Sequence, residues 1–339
     1  MGFVQADPIR APARAQDLIV RHRVKDYRAG DLERRYTSLD IEEDFFVNYG
    51  YVTRRLQSLM HPRFKSRVPA DNVTLPWLPA QKKKATLLLD FVRERGVVHP
   101  REVDEHFAHG KVTNYWGGSS NATTHLLDAM HYAGLLRIVR REKGIRIYAE
   151  HKHEAVARSA AERRARMDVL ADVVVNIYAP LPARSLSFYL RRLRYAAPQW
   201  LKEIPSTLQR AKARLSHARV GNVDWYWPSG ENIDGQVPKV VRILAPFDPT
   251  VHDRDRFELL WGWTYRFEAY TPAPKRKLGY YAMPLLWRDR VVGWANLAVK
   301  NGELDFNLGY IESRPSDPTF KRELAAEIDG MRAFLGLSL

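Results

Sequence analysis

The predicted fold is decided by one stretch of the sequence, Val97–Tyr148, which reads VVHPREVDEHFAHGKVTNYWGGSSNATTHLLDAMHYAGLLRIVRREKGIRIY. An amphipathic helix is predicted just before it, over 82–95, and a second helix follows the two valines and begins at a proline. The letters SSN at 119–121 are typical of the cap of a third helix, which Gly134 ends. Two strand-like runs then flank a turn at 142–144. Three helices followed by a two-stranded hairpin is the element order of a winged helix.

A winged helix contacts DNA through its third helix and its hairpin, so polar and basic residues there are candidate DNA ligands. The third helix offers Asn121, Thr123 and Thr124. The hairpin offers Arg141 and Lys143 to phosphates. The alternative interpretation is a winged helix that is used only for protein contacts.

Residues 151–237 are very basic, and their predicted elements repeat the same order. The last predicted helix of this region begins at Ser206 and presents Arg210, Arg214 and His217 on one face, at positions i, i+4 and i+7. Two predicted strands follow it. We therefore expect a second winged helix in which Arg210 and Arg214 contact DNA. A solvated helix face is the alternative.

The two ends of the chain have different patterns. Residues 1–79 are predicted to be a helical, winged-helix-like region that ends in a proline-rich linker. The C-terminal part contains short apolar runs, among them Tyr265–Tyr270, and an amphipathic helix over 317–335. The predicted fold class is α+β, with tandem winged-helix (helix-turn-helix) domains at 80–150 and 151–237 and a small β-domain with its terminal helix at 238–339.

The charge of the chain narrows the class of partner. The 339 residues include 54 Lys and Arg against 39 Asp and Glu, a formal net charge of +15. Such an excess attracts polyanions, and double-stranded DNA is the expected partner. No apolar run is long enough to span a bilayer, no signal-peptide pattern opens the chain, and cysteine is absent. We expect a cytoplasmic monomer, nucleoid-associated when it is bound to DNA, with no membrane contact.

Histidines are the only candidates for metal chemistry in a chain without cysteine. His99, His106 and His109 lie close together in sequence, and His151 and His153 form a pair. None of them has the helical i, i+4 spacing with a carboxylate partner that is typical of a metal site. No phosphate loop, nucleophile elbow or dinucleotide fingerprint is present either. The sequence therefore predicts no metal and no cofactor.

An amide and a carboxylate lie two residues apart at the start of the chain, within GFVQADPI at 2–9. In an extended segment Gln5 and Asp7 project from the same face, so that both can reach one reaction centre. The spacing alone does not distinguish a catalytic pair from a common Asp-Pro turn.

Four blocks of the sequence together resemble the crosslink-repair DNA glycosylase family, the AlkZ-like and YcaQ-like winged-helix proteins. The blocks are GFVQADPIRAPARAQDL at 2–18, WGGSSNAT at 116–123, LAPFDP at 244–249 and TPAPKRKLGYY at 271–281. The last block is the most specific, and the four cover nearly the whole chain.

The resemblance implies a monofunctional DNA glycosylase, which hydrolyses the N-glycosidic bond of alkylated or interstrand-crosslinked purine nucleotides. It assigns the catalytic pair to Gln5 and Asp7. An ionised Asp7 can stabilise the oxocarbenium ion at the sugar and accept a proton from the attacking water, which Gln5 can hold. The basic run Lys275, Arg276 and Lys277 is expected to contact phosphates, and a solvated turn is the alternative.

The chain departs from the family's pattern at two places. A histidine near the site is replaced by Asn48, a candidate catalytic residue that cannot change charge. A strand that carries three charged residues in the family has Trp294 and Asn296 here. These departures favour the runner-up hypothesis, a non-catalytic winged-helix protein that binds DNA or regulates. A protein-interaction scaffold is disfavoured by the net charge.

Overall fold

The structure is a computed structural model that describes residues 1–63, 82–107, 111–113, 119–153, 157, 159–232 and 234–338. It is built from helices that alternate with short antiparallel sheets. The prediction of a mixed α+β protein is confirmed. The predicted proline-rich linker falls almost entirely in 64–81, outside the described residues, as do His109 and the first letters of the WGGSSNAT block.

The N-terminal region contains a three-stranded antiparallel sheet in the order β1-β3-β2. Its strands are β1 (Phe3–Gln5), β2 (Ile41–Phe45) and β3 (Tyr49–Thr53), and its helices are α1 (Ala15–Val20), α2 (Asp31–Arg34) and α3 (Arg54–Met60). A short 3₁₀ helix, Tyr36–Ser38, precedes β2.

The prediction that this region is helical is wrong for its strands, and the reason is visible in β2. Its run of three acids, Glu42, Glu43 and Asp44, looks like a solvated surface in the sequence but is buried in the structure. Each carboxylate forms an ion pair with an arginine distant in sequence; the arginines are, in the same order, Arg137, Arg141 and Arg63. Sequence periodicity cannot reveal such neutralisation.

The central unit spans 82–150 and has the element order helix, strand, helix, helix, strand, strand, with an added β-ribbon. The elements are α4 (Lys82–Arg95), β4 (Val97–Val98), α5 (Pro100–Phe107), the ribbon β5 (Lys111–Thr113) and β6 (Ser119–Asn121), α6 (Ala122–Ala133), β7 (Leu136–Glu142) and β8 (Ile145–Glu150). The main sheet has the order β4-β8-β7. Residues 119–121, which were predicted to cap the third helix, form β6, and the helix begins directly after them at Ala122.

The second unit, 159–232, has the same order of helices and strands without the ribbon. Its elements are α7 (Ala160–Tyr178), β9 (Leu181–Pro182), α8 (Ala183–Ala196), the 3₁₀ helix Pro198–Glu203, α9 (Ile204–Arg214), β10 (Ser216–Val220) and β11 (Val223–Trp227). The sheet order is β10-β11-β9. Helix α9 begins two residues earlier than predicted, because Pro205 fits the first helical turn. His217 lies in β10 and not on the helix.

The C-terminal region is a four-stranded antiparallel sheet, in the order β12-β13-β14-β15, that packs against the terminal helix. The elements are β12 (Val241–Ile243), α10 (Pro249–His252), α11 (Arg254–Trp261), the 3₁₀ helix Ala273–Lys275, β13 (Met283–Trp287), β14 (Arg290–Lys300), β15 (Glu303–Tyr310) and α12 (Pro318–Leu335). The terminal helix is confirmed. The predicted strand at Tyr265–Tyr270 is wrong, because Tyr265 instead packs among Phe257 and Trp263.

Among the helices in the described part of the chain, none combines the length and apolar character needed to cross a bilayer.

The N-terminal sheet and the two units meet at one buried ion pair, Asp44–Arg63, whose side chains are both fully inaccessible to solvent. Arg63 donates to Asp44 Oδ1 (2.8 Å) and to the carbonyl oxygens of Phe45 (2.7 Å), Tyr132 (2.8 Å) and Ala196 (2.9 Å). Those carbonyls belong to β2, to the end of α6 and to the end of α8. The guanidinium of Arg63 holds the pKa of Asp44 well below its usual range despite the cost of burial.

Replacing Arg63 with Met is expected to lower the free energy of unfolding by about 3–5 kcal/mol, because it leaves the Asp44 carboxylate buried without its cation. Urea denaturation followed by circular dichroism measures this. The control is Arg332→Gln, which removes a partly exposed ion pair with Asp329 and should cost less than about 1 kcal/mol. Equal effects of the two substitutions would show that the buried pair does not join the units.

Candidate active site

Gln5 ends strand β1 and is buried, with 8% of its surface exposed. It pairs with Gly50 on β3, and the extended chain continues beyond it, because Ala6 N–H donates to the carbonyl oxygen of Tyr49 at 3.0 Å. A Cβ atom at Gly50 would lie 2.1 Å from the carbonyl oxygen of Val4. Only glycine at this position lets β3 approach the strand that carries Gln5.

Asn48, in the turn between β2 and β3, links Gln5 to the second unit. Its Nδ2 donates to Gln5 Oε1 at 3.0 Å, and its Oδ1 accepts a hydrogen bond from Arg192 at 2.9 Å. Arg192, on α8, also donates from Nε to the carbonyl oxygen of Val47 at 2.6 Å. The carbonyl group of Gln5 is therefore occupied, and its Nε2 donates to none of the residues that the structure describes.

Asp7 lies two residues further along, half-buried, in the loop between β1 and α1. Its Oδ1 accepts from the backbone N–H of Ile9 at 2.9 Å, and its own N–H donates to Gln16 Oε1 at 3.3 Å. No residue in the described ranges donates a hydrogen bond to Asp7 Oδ2. Burial raises the pKa of Asp7 above its ordinary value, and the Ile9 hydrogen bond opposes this only in part.

Tyr281 belongs to the surroundings of Asp7. Its ring is buried, and its hydroxyl is inaccessible and has no hydrogen-bond partner among the described residues. Burial raises the pKa of Tyr281, and the charge of Asp7 is the next largest cause. The neighbouring Tyr280 is 45% exposed.

This arrangement suits hydrolysis in which positive charge develops on the substrate. A desolvated carboxylate with one free oxygen can accept a proton and attract a cation more strongly than it could in water. The free Nε2 of Gln5 can hold the oxygen of a water molecule. Gln5 and Asn48 are amides and do not titrate, so Asp7 is the titratable carboxylate of this group.

The polar and basic residues that were expected to bind DNA lie in different environments. Thr123 is buried and donates to Asp104 at 2.9 Å, and Arg141 donates to the buried Glu43 at 2.7 Å. On α9, Arg210 and Arg214 form ion pairs with Asp168 and Asp172 of α7. Exposed positions are occupied by Thr124, Lys143, Lys275 and Lys277. The side chain of Asn121 is outside the described part of the chain.

The basic run at 275–277 lies on a braced loop. The carboxylate of Glu268 accepts hydrogen bonds from the backbone N–H groups of Lys277, Leu278 and Gly279 at 2.7–3.2 Å. Asn296 Nδ2 donates to the carbonyl oxygen of Leu278 at 2.8 Å, and a Cβ atom at Gly279 would lie 2.3 Å from its Oδ1. Asn296, a departure from the family's pattern, therefore holds this loop in place.

Trp294, another departure, and Arg276 of the basic run also have structural roles. Trp294 stacks on Trp263, with ring centroids 5.9 Å apart, and its ring covers Gly309, where a Cβ atom would lie 2.2 Å away. Arg276 donates from Nε to the carbonyl oxygen of Thr271 at 2.7 Å and lies over the ring of Tyr280. Of the three basic residues in the run, the two lysines are the exposed ones.

The protein is therefore an α+β protein whose candidate site contains a half-buried carboxylate, Asp7, and a hydrogen-bonded amide, Gln5. The family model described as "DNA glycosylase AlkZ-like" matches residues 1–334, and the chain belongs to this family. Streptomyces sahachiroi DNA glycosylase AlkZ has a similar structure, with a TM-score of 0.58 and 13% sequence identity over 96% of this chain and 87% of that chain. At this identity the similarity shows the shared fold.

Three residues near Gln5 and Asp7 could not be identified from the sequence. Arg192 was one of several arginines around a helix, and nothing in its spacing singles out the one that reaches Asn48. Gln16 and Tyr281 are brought to Asp7 by α1 and by the loop before β13. The only signal was that Gln16 and Tyr281 lie within the blocks that resemble the family.

Replacing Asp7 with Asn is expected to raise the melting temperature at pH 7, because the folded state disfavours the charge of Asp7. The gain should disappear as the pH falls below the ordinary range of aspartate, where Asp7 is protonated in both states. Differential scanning calorimetry across pH measures this.

Asp317→Asn is the matched control, because the pKa of Asp317 is lowered by the N–H of Thr319 and by Arg288. Its loss of charge should lower the melting temperature. A melting temperature for Asp7→Asn at or below that of the native chain at pH 7 would contradict the described environment of Asp7.

Proposed function

We propose that the chain is a monofunctional DNA glycosylase that hydrolyses the N-glycosidic bond of alkylated or interstrand-crosslinked purine nucleotides. Membership of the family gives the class, a DNA glycosylase of DNA repair. Two observations carry the finer proposal. Asp7 is half-buried with one free oxygen, and Gln5, two residues before it in the chain, has its Oε1 held by Asn48, which Arg192 in turn holds.

The proposed reaction uses the charge of the damaged base. An N7-alkylated purine is a cationic leaving group, so the bond from C1′ to the base nitrogen breaks without a general acid, and the base leaves neutral. Ionised Asp7 stabilises the oxocarbenium ion that forms at the sugar. A water molecule held by Gln5 Nε2 adds its oxygen to C1′ and gives its proton to Asp7.

The residues around the pair support hydrolysis without strand cleavage. A glycosylase that also cleaves the strand needs an amine nucleophile to form a Schiff base with the sugar. The side chains described at the site are those of Gln5, Asp7, Gln16, Asn48, Arg192 and Tyr281, and none of these six is an amine. We therefore expect an abasic site as the product.

We propose that the two units are winged helices and that double-stranded DNA is held on both sides of the catalytic pair by exposed cations. Helix α8, which brings Arg192 to Asn48, also carries the exposed Arg191 and Arg194. The braced loop carries the exposed Lys275 and Lys277. Arg210 and Arg214 are less favoured as DNA ligands, because phosphates would have to displace the carboxylates of Asp168 and Asp172 on α7.

Single-turnover release of 7-methylguanine from duplex DNA tests the reaction. Asp7→Asn is expected to slow release by about two orders of magnitude or more, the loss typical of a positioned acid–base or electrostatic group. In the native chain, release should decline as the pH falls through the raised pKa of Asp7, whereas residual release by the variant should lack this decline.

The control is Asp317→Asn, which removes a carboxylate at the start of α12 and should keep native release. If the native chain binds the duplex and releases no base, the enzyme is excluded for this substrate, and the non-catalytic DNA-binding alternative is favoured.

The double variant Lys275→Gln/Lys277→Gln is expected to weaken DNA binding and to reduce the slope of log affinity against log salt by about 2, since each phosphate contact contributes about 0.9. Fluorescence anisotropy at several salt concentrations measures the slope. Lys300→Gln/Lys321→Gln removes the same charge from β14 and α12 and should leave the slope nearly unchanged. Equal slopes for the two double variants would show that the braced loop does not contact DNA.

A further inference from the structure

Three histidines converge at a place that the glycosylase reaction does not use. His61 follows α3, and His151 and His153 follow β8. One ring nitrogen from each lies within 4.8 Å of the other two. The sequence showed only the pair His151–His153, because 90 residues separate His61 from His151 and no spacing rule connects them.

The hydrogen bonds of two of these rings leave one nitrogen of each unprotonated, with a free lone pair. His61 bonds through Nε2 to Asp44 Oδ2 at 2.7 Å, and His153 bonds through Nε2 to the carbonyl oxygen of Gly134 at 2.7 Å. Both partners are acceptors, so Nε2 carries the proton in each ring, and Nδ1 is the unprotonated nitrogen. A carboxylate or carbonyl behind the imidazole is the usual support of a metal-binding histidine.

Two of the ring nitrogens are unsatisfied as the structure has them. His61 Nδ1 and His151 Nδ1 are inaccessible to solvent and have no hydrogen-bond partner in the described ranges. A buried polar atom without a partner costs free energy, and a bound cation would remove that cost. Burial also lowers the pKa of His61 to about 4 and that of His151 to about 3, so both rings are in the neutral form that binds metals.

The two arginines nearest the cluster, Arg63 and Arg137, are both neutralised by carboxylates. Arg63 is already paired with Asp44, and Arg137 is paired with Glu42. A surface pocket lined by His151 and His153 opens beside the cluster. Its lining also includes three acids, Asp40, Glu42 and Glu150, and four basic residues, Arg54, Arg55, Arg137 and Lys152.

We propose that His61, His151 and His153 bind one divalent transition-metal ion, with Zn²⁺ the best match to three imidazole ligands. The open pocket supplies the fourth position, to a water molecule or to one of its carboxylates. Zinc–nitrogen bonds of about 2.1 Å place ligand atoms about 3.4 Å apart, so the partly exposed His151 and His153 move inward on binding. The ion links the N-terminal region to the end of the central unit, beside the Asp44–Arg63 pair.

Isothermal titration calorimetry with ZnCl₂ on the full chain, treated with EDTA and then desalted, tests the site. The native chain is expected to bind one Zn²⁺, and His151→Ala and His153→Ala should each weaken binding at least tenfold. Both residues are partly exposed, so these variants keep their fold, which circular dichroism checks. His217→Ala removes an exposed histidine of β10 and is the matched control.

Two readouts separate the site from adventitious binding. Co²⁺ should give visible absorption bands of a low-symmetry site in the native chain and in His217→Ala, and should lose them in His151→Ala and His153→Ala. Zinc should also raise the melting temperature of the native chain more than that of either cluster variant. Binding that is equally tight in the cluster variants, or no binding by the native chain, would overturn the proposal. Neither outcome bears on base release, which is measured separately.

Discussion

The ion pair between Asp44 and Arg63 is the constraint on which the arrangement of the molecule depends. Two opposite charges without solvent contact are tolerated only when their own polar atoms are hydrogen-bonded, and Arg63 meets this condition by donating to carbonyl oxygens at the ends of α6 and α8. The same contacts position α8 against the β2–β3 turn. Because α8 carries Arg192 and the turn carries Asn48, the structural ion pair sets the geometry through which Gln5 is held.

The candidate active site is built almost entirely from groups whose charge does not change near neutral pH. Asn48 accepts a hydrogen bond from Arg192 and donates one to Gln5, and so connects the two residues. This needs one acceptor and one donor but no titratable group. Asp7 is the exception, since burial raises its pKa and makes its ionised form costly in the folded state. A carboxylate that is retained at such a cost is more readily explained by chemistry than by stability.

Local patterns in the sequence predicted most of the helices and hairpins, because helix caps, turn glycines and apolar periodicity act over a few residues. Helix α4, the β7–β8 hairpin and α12 lie close to where the patterns place them. Contacts between distant residues could not be predicted. In the sequence the acids of β2 look like part of a solvent-exposed helix, because their arginine partners are distant. Arg141 looks like a phosphate ligand, but in the structure it pairs with Glu43. Nothing in the sequence relates His61 to His151, which the structure brings together. The candidate pair Gln5 and Asp7 was found by resemblance to a family, since Gln-x-Asp carries little information alone.

The central claim is that the chain hydrolyses the N-glycosidic bond without cleaving the strand. The most direct test incubates the chain with duplex DNA that contains one 7-methylguanine and then analyses both the released base and the DNA strand. Chromatography measures the free base, and denaturing electrophoresis measures the integrity of the strand before and after alkali. The account predicts one free base per site and a strand that stays intact until alkali cleaves the abasic site. Strand cleavage without alkali, or an amine adduct trapped by borohydride, would contradict hydrolysis by Asp7-activated water. A bound duplex that yields no free base would contradict the glycosylase claim for this lesion.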